Sequence, residues 1–234
     1  MKRFLIINFE TDSINPNTCK ILEFGYLQST YDKKIVNCGS FLFKQEKIIS
    51  DFPDCNDIDN ELLKYGYEED RCTQKIQKLI SESHYIVARN GHNFDFILLK
   101  RLCDINGKIL IDTMIDLPLE KRMHSMKLSY LAFEHDVIMQ SVHRAISDVI
   151  GLFQLICKFN FDKIIENATS EKVLLVLKNT PFNPNEIERN IEQNHKKELG
   201  FRWNRDNRRW ELIARKNDIE NTEKKCKLAG FELI

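Results

Sequence analysis

Phe4-Leu5-Ile6-Ile7-Asn8-Phe9-Glu10-Thr11-Asp12 is a β-rich run that ends on polar and acidic residues. Residues i and i+2 of a strand share a face, so Asn8 and Glu10 project together and offer two oxygen ligands to a hard cation. An ordinary strand end also carries such a polar pair, and the run alone does not choose between the two readings. A loop marked by Asp12, Ser13, Asn15, Pro16 and Asn17 follows. Two more strand-like runs come next, Ile21 to Leu27 and Ile35 to Phe43, on either side of the turn Tyr31-Asp32-Lys33-Lys34. Three successive strands with short turns predict an antiparallel meander.

From about Ile58 the period changes to that of helices. Ile76, Leu79 and Ile80 mark one helical face, ahead of a short strand from Tyr85 to Ala88. Phe94, Ile97, Leu98, Leu99 and Leu102 form the stripe of the next helix. A strand from Lys108 to Ile111, a helix around Lys127 to Phe133 and a long helix from Ala145 to Phe159 complete the pattern. Strands first, then helix alternating with strand, predict an α/β fold whose mixed sheet is flanked by helices.

Beyond Asn160 the composition turns toward Asn, Lys and Glu. Thr180-Pro181-Phe182-Asn183-Pro184-Asn185 reads as a linker, with Asn185 capping a helix that runs to about Leu199. Gly200 to Ile234 reads as a hairpin, a helix and a last strand, a small C-terminal α+β module. The expected division is 1–165 for the main domain and 166–234 for the helical linker and module.

With 35 basic and 35 acidic residues among 234, the formal net charge is zero. A nucleic-acid partner would therefore have to be held by local basic patches or bound metal rather than by a global positive field. Seven cysteines (19, 38, 55, 72, 103, 157 and 226) form no Cys-x-x-Cys pair and fit neither a zinc site nor a disulfide framework. Incidental thiols in a reducing cytoplasm are expected. No long uncharged apolar run suggests a membrane span. The apolar stretch Phe4 to Ile7 is short for a signal sequence, and no small-residue cleavage site follows it.

Two further motifs carry acidic residues. Arg89-Asn90-Gly91-His92-Asn93-Phe94-Asp95 places a carboxylate at the start of a helix, where it also complements the helix dipole. His143-Arg144-Ala145-Ile146-Ser147-Asp148 leads into the long helix with Asp148 facing along the apolar stripe, where a carboxylate is costly unless paired or metal-bound. Each motif alone admits a plain structural explanation.

Taken in order, the three resemble the motifs of the DnaQ-like (DEDDh) 3′→5′ exonucleases of the RNase H-like superfamily. That family reads Asp-x-Glu-Thr-x-Gly, then His-Asn-x-x-Phe-Asp or a close variant, then His-x-Ala-x-x-Asp. Its Ile-Ile-Glu-Ile-Gly strand is matched by Ile21-Leu22-Glu23-Phe24-Gly25. Ile111-Asp112-Thr113 and Lys127-Leu128-Ser129-Tyr130-Leu131-Ala132 match two further landmarks. The resemblance covers Met1 to about Phe159.

The resemblance implies an RNase H-like mixed sheet and hydrolysis that releases nucleoside monophosphates from nucleic-acid 3′ ends. Two divalent ions, Mg2+ or Mn2+, would be held by Glu10, Asp95, Asp148 and position 8, about 3.5–4 Å apart. His143 would take the proton from the attacking water. The loop Thr11-Asp12-Ser13-Ile14 would seat the terminal nucleotide, with Ile14 as a wedge against the last base. Phe94 would wall the pocket and Asn90 support its floor, although Asn90 reads equally as a turn residue. The partner would be single-stranded or 3′-ended nucleic acid. A polymerase partner also fits the family, but no polymerase-binding segment is identifiable.

Three positions depart from the pattern. Asn8 stands where the family has its first catalytic Asp, replacing an anion with a neutral oxygen. Engineering, natural decay and a tolerated loss of rate all remain open; the intact Glu10, Asp95, Asp148 and His143 favour an engineered or activity-lowering change. Arg89 replaces the usual His of the second motif, implying altered packing or a phosphate contact, and Ser13 replaces the usual Gly of the first. In the module, Phe201, Trp203 and Trp210 interleave with Arg202, Arg205, Arg208 and Arg209. This pattern suits base stacking and phosphate contact through Arg202, Trp203, Arg205 and Arg208. It equally suits a small core packed on helices around Ile191 and Leu228. The rival to an enzyme is a non-catalytic nucleic-acid-binding protein on a decayed exonuclease fold.

Overall fold

Strand β1 (Arg3–Thr11) is apolar on both faces: Leu5, Ile7 and Phe9 join one core cluster, Phe4 and Ile6 another. A strand buried on both sides belongs at the centre of a sheet covered by helices. The computed structural model describes residues 2–46, 58–119, 123–139, 144–178, 184–204 and 206–234. Two compact units form, Met1–Ala168 and Thr169–Ile234.

In the first unit β1 pairs antiparallel with β2 (Ile21–Thr30), and β2 with β3 (Ile35–Leu42), the expected meander. Helices α1 (Asn60–Leu63) and α2 (Glu69–Ser81) lead to β4 (Tyr85–Ala88), which runs parallel to β1. After α3 (Asp95–Leu102) comes β5 (Ile109–Asp112), parallel to β4. The strand order is β3-β2-β1-β4-β5, a mixed five-stranded sheet. Helices α4 (Leu128–Glu134), α5 (Ala145–Ile156) and α6 (Phe161–Thr169) follow. Cys72, Ile76 and Ile80 of α2 and Phe96, Leu98 and Leu99 of α3 bury the Leu5–Ile7–Phe9 face. Leu131, Val149, Leu152 and Phe161, from α4, α5 and α6, bury the Phe4–Ile6 face. The expected α/β class, a mixed sheet flanked by helices, is the observed one.

The second unit contains β6 (Lys172–Val176), α7 (Glu186–Glu198), β7 (Arg202–Asn204), β8 (Arg209–Arg215) and α8 (Ile219–Leu228). Asn185 caps α7, its side chain accepting from the N–H groups of Ile187 and Glu188. The sheet order is β6-β8-β7, so the expected hairpin gains β6 on its other edge. Its core gathers Leu175, Leu177, Phe201, Ala214, Cys226 and Phe231. The expectation that Ile191 and Leu228 support this core is corrected, because both side chains are exposed. The expected last strand reduces to one bridge between Leu177 and Leu233.

Candidate active site

The three parallel strands β1, β4 and β5 end at one edge of the sheet, and the acidic residues collect there. Glu10 lies at the end of β1, where the β1–β2 register shifts between Glu10 and Thr11. Such irregularities re-aim side chains at strand ends. Asn8 shares the face of Glu10 and donates from Nδ2 to Glu10 Oε1 at 3.0 Å. Asp95 is the buried first residue of α3, and its Oδ1 accepts the Phe9 N–H at 3.0 Å. Asp148 lies half-buried in the first turn of α5.

These carboxylates act on one another. Burial first, then the charges of Asp148, Glu23 and Asp95, push the Glu10 carboxyl up to about 8, against the opposing Asn8 amide. Burial likewise raises Asp95 to about 7, helped by Asp112 and Asp148 and opposed by the Phe9 N–H. Oxygen donors crowded until they hold protons near neutrality are a chemical fit for hard divalent ions. Among the described residues, however, no three His, Cys, Asp or Glu side chains are already drawn together as a coordination set.

A charged fork sets the approach of α5. Glu23 faces Glu10 across the β1–β2 ladder and is fully buried. Arg144 donates from Nε to Glu23 Oε2 and from Nη2 to Oε1, both at 3.0 Å, and the Ala145 N–H reaches Oε2 at 3.2 Å. Burial would raise the Glu23 carboxyl, but the Arg144, Ser40 and Ala145 hydrogen bonds outweigh it and hold it below its ordinary range. Sequence reading quoted Glu23 as a landmark and gave it no role. The available signal was a carboxylate inside the largely apolar run Ile21 to Leu27.

The loop after β1 is pinned from within and from α3. Thr11 Oγ1 donates to the Ser13 carbonyl at 2.7 Å, and Asp12 Oδ1 accepts the Lys20 N–H at 2.8 Å. Arg101 donates to the carbonyls of Pro16 at 2.7 Å and Cys19 at 3.1 Å. Ile14 stands 73% exposed, and Ser13 is half-buried. Phe94 stands at the N-terminal boundary of α3 without a side-chain capping hydrogen bond and packs against the core cluster that includes Phe9. Asn90 adopts a left-handed backbone (φ 56°) and accepts from Asn93 Nδ2 at 2.8 Å, a turn geometry Asn tolerates. His143 and Arg205 lie outside the described residues.

In the second unit, Trp203 pairs with Trp210 across β7 and β8, with the rings edge to face at 5.8 Å. Trp210 packs on the core, whereas Trp203 is 47% exposed. Arg202 is exposed and, as a strand neighbour of Trp203, projects from the opposite face. Arg208 is exposed at φ 48° in the hairpin turn.

No family model matches the chain. The PolC-type DNA polymerase III of Ureaplasma parvum serovar 3 is 28% identical over 157 residues, covering 64% of this chain and 11% of that protein. Exonuclease I of E. coli in complex with single-stranded DNA, in a zinc-bound form, superposes with a TM-score of 0.62 at 14% identity, over 76% of this chain and 48% of that one. Its complex with a dT13 oligonucleotide gives a TM-score of 0.60 at 13% identity, with 76% and 49% covered. The chain thus spans about a tenth of the polymerase (11%) and about half of exonuclease I (48%). With its five-stranded mixed sheet and flanking helices, this chain has an RNase H-like fold, the one seen in exonuclease I.

Proposed function

We propose that this chain is a metal-dependent 3′→5′ exonuclease acting on single-stranded nucleic acid and weakened by Asn8. The observation that carries the reading is that Asp95 accepts the Phe9 N–H, between Asn8 and Glu10, with Asp148 near enough that its charge helps to raise both Glu10 and Asp95. Glu10, Asp95 and Asp148, with a neutral oxygen from Asn8, would hold divalent ions, Mg2+ or Mn2+, whose charge would offset that gathering on the phosphoryl group during hydrolysis.

The chain's own residues do the rest. His143 accepts the proton of the attacking water, a general-base role suited to an imidazole side chain. The exposed Ile14 side chain wedges against the terminal base, with Thr11, Asp12 and Ser13 shaping its seat and Asn90 and Phe94 the floor and wall. Arg202, Trp203, Arg205 and Arg208 of the 166–234 region give a second contact for the strand. Single-stranded DNA is the first substrate to test, because the exonuclease I structures carry it.

The test compares this protein with its Asn8→Asp variant on a 3′-labelled oligonucleotide with magnesium. The variant is expected to release nucleoside monophosphate faster, and EDTA to stop both. If neither protein releases mononucleotide, the enzyme reading fails. A second reading, a nucleic-acid binder on a decayed fold, is favoured by the hydrogen bond of Asn8 to Glu10, which ties up a carboxylate oxygen. It predicts binding that persists in EDTA.

A further inference from the structure

We propose that the open face of the β6-β8-β7 sheet, with Lys172, Arg202, Arg209 and Arg215 around Leu174 and Ile213, binds the sugar-phosphate backbone of single-stranded nucleic acid without metal. The inference goes beyond the nuclease reading, because it concerns the second unit alone and needs neither the acidic residues nor cleavage.

The two faces of this sheet follow from register. Residues i and i+2 of a strand share a face, as do direct partners across an antiparallel ladder. Trp210, Leu212 and Ala214 of β8 therefore lie on one side, where they join Leu199 at the end of α7 and Cys226 of α8 in the core. The alternate residues of β8, from Arg209 to Arg215, lie on the other side. There Arg202 stands opposite Glu211, Leu174 opposite Ile213 and Lys172 opposite Arg215. Of the three apolar residues on this face, Val176 is buried, whereas Leu174 and Ile213 stay 46% and 69% exposed. At about 3.4 Å per residue and about 4.8 Å between strands, the face measures roughly 20 Å by 10 Å.

Charge identifies the partner. The strand residues of this face include four basic side chains and one acidic. Thr169–Ile234 as a whole holds 14 basic and 11 acidic residues, so the excess of the unit is the excess of this face, and the remainder is balanced. Glu211, the one carboxylate, is already satisfied: it accepts from Arg209 Nε at 2.6 Å, Asn204 Nδ2 at 2.9 Å and Asn207 Nδ2 at 3.1 Å. Lys172 and Arg202 are exposed and in no ion pair among the described residues. Arg209 pairs with Glu211 and Arg215 with Asp218, surface pairs that contribute little and leave both guanidinium groups able to turn to phosphate.

Four cations around only two exposed aliphatic side chains suit an evenly charged polyanion better than an acidic amphipathic protein segment, which needs a longer apolar stripe. The face carries no aromatic ring, so bases find nothing there to stack on. The cations meet phosphate and the aliphatic pair meets sugar, whatever the sequence.

The experiment measures fluorescence anisotropy of labelled oligothymidine and oligouridine of about twenty nucleotides in EDTA. The full chain is compared with Lys172→Ala/Arg202→Ala, with Ile213→Ser, and with Lys224→Ala/Lys227→Ala, which removes the same charge from α8. The first variant is expected to weaken both oligonucleotides roughly five- to thirtyfold and to flatten the salt dependence by about 0.7 per lost contact. Ile213→Ser should weaken them roughly twofold with the salt slope unchanged. The α8 variant should stay within about twofold of the unmutated protein. Unchanged binding in the first variant, an equal loss in the α8 variant, or no binding by the unmutated protein overturns the proposal. So does a loss confined to poly-L-glutamate, which would assign the face to an acidic protein segment. All the substituted side chains are exposed, so the fold is retained. Product release with magnesium tests the nuclease reading separately.

Discussion

Gly25 and Ala145 are in direct backbone contact: a β-carbon placed on Gly25 would lie 2.4 Å from the Ala145 carbonyl carbon and 2.8 Å from its Cβ. Gly25 is also the β2 partner of Asn8, so α5 lands on the strand pair that carries the first acidic motif. Gly25→Ala should force the start of α5 off the sheet. We expect a loss of about 1–3 kcal/mol, typical of overpacking, and weaker magnesium binding as Asp148 retreats. Urea unfolding and calorimetric titration measure the two effects; wild-type values for both would refute the contact's importance.

The Arg144–Glu23 fork leads to a second prediction. Arg144→Met leaves the Glu23 carboxylate buried without its main partner, and breaking buried pairs costs about 3–5 kcal/mol. Arg144 is partly exposed, which favours the lower end. Arg144→Met/Glu23→Leu should be less destabilised than Arg144→Met alone. If the double variant is the less stable protein, the Ser40 and Ala145 hydrogen bonds hold the buried Glu23 carboxylate without Arg144.

Acidity links the site to folding. Glu10 and Asp95 are raised to about 8 and about 7 in the fold. Unfolded, both ionise near their ordinary values, so through the window above pH ~4 the folded protein holds protons that the unfolded chain has released. Their contribution to stability therefore falls as pH rises toward 8. In EDTA, Tm should be lower at pH 8.5 than at pH 5.5, and magnesium should raise it most at pH 8.5. Glu23, depressed rather than raised, opposes this only at the acid end. A Tm that climbs with pH in EDTA contradicts the assignment.

Arg101 anchors the loop after β1 from the far end of α3. Arg101→Ala should speed amide hydrogen exchange across residues 12–20 about tenfold or more, since a hydrogen bond from a charged group contributes about 1.5–3 kcal/mol. Exchange in α3 itself should barely change. Uniform acceleration through both segments would show a global rather than a local effect.

In the module, Phe201 is buried and Trp203 half exposed. Phe201→Ala should cost about 3–5 kcal/mol and Trp203→Ala less than half as much. Limited proteolysis within Thr169–Ile234 reads the difference. If Trp203→Ala opens the module as readily as Phe201→Ala, its exposed face is structural after all.

Local pattern carried much of the architecture. The meander was legible because β1, β2 and β3 are bounded by turn residues, and the α3 stripe because five apolar residues recur at helical spacing. Strand β6 was not legible. Lys172–Val176 is short, and its partner β8 begins at Arg209, so no nearby turn announces the pairing. The Glu23–Arg144 fork joins residues 121 apart in sequence, beyond any local rule. The opposite projection of Arg202 and Trp203 was implicit in the two-residue period of a strand, but the composition of the segment drew attention instead. Glu10 and Asp95 illustrate a different limit: a motif names the carboxylates, but only packing reveals what their proximity does to their protons.

Asp95 has two attachments that Asn8 lacks. Through Phe9 its side chain completes the backbone bonding of the central strand, and it also starts a helix. Replacing it by Ala would unravel framework and chemistry together, so Asp95→Asn, which keeps the acceptor oxygen, is the variant that separates them. Position 8 bears no such double duty. Asn has nearly the shape of Asp, and its amide bonds to Glu10, so charge can enter or leave there while the scaffold stands. If the proposed exonuclease reading holds, position 8 is in engineering terms the throttle of this fold and position 95 its keystone.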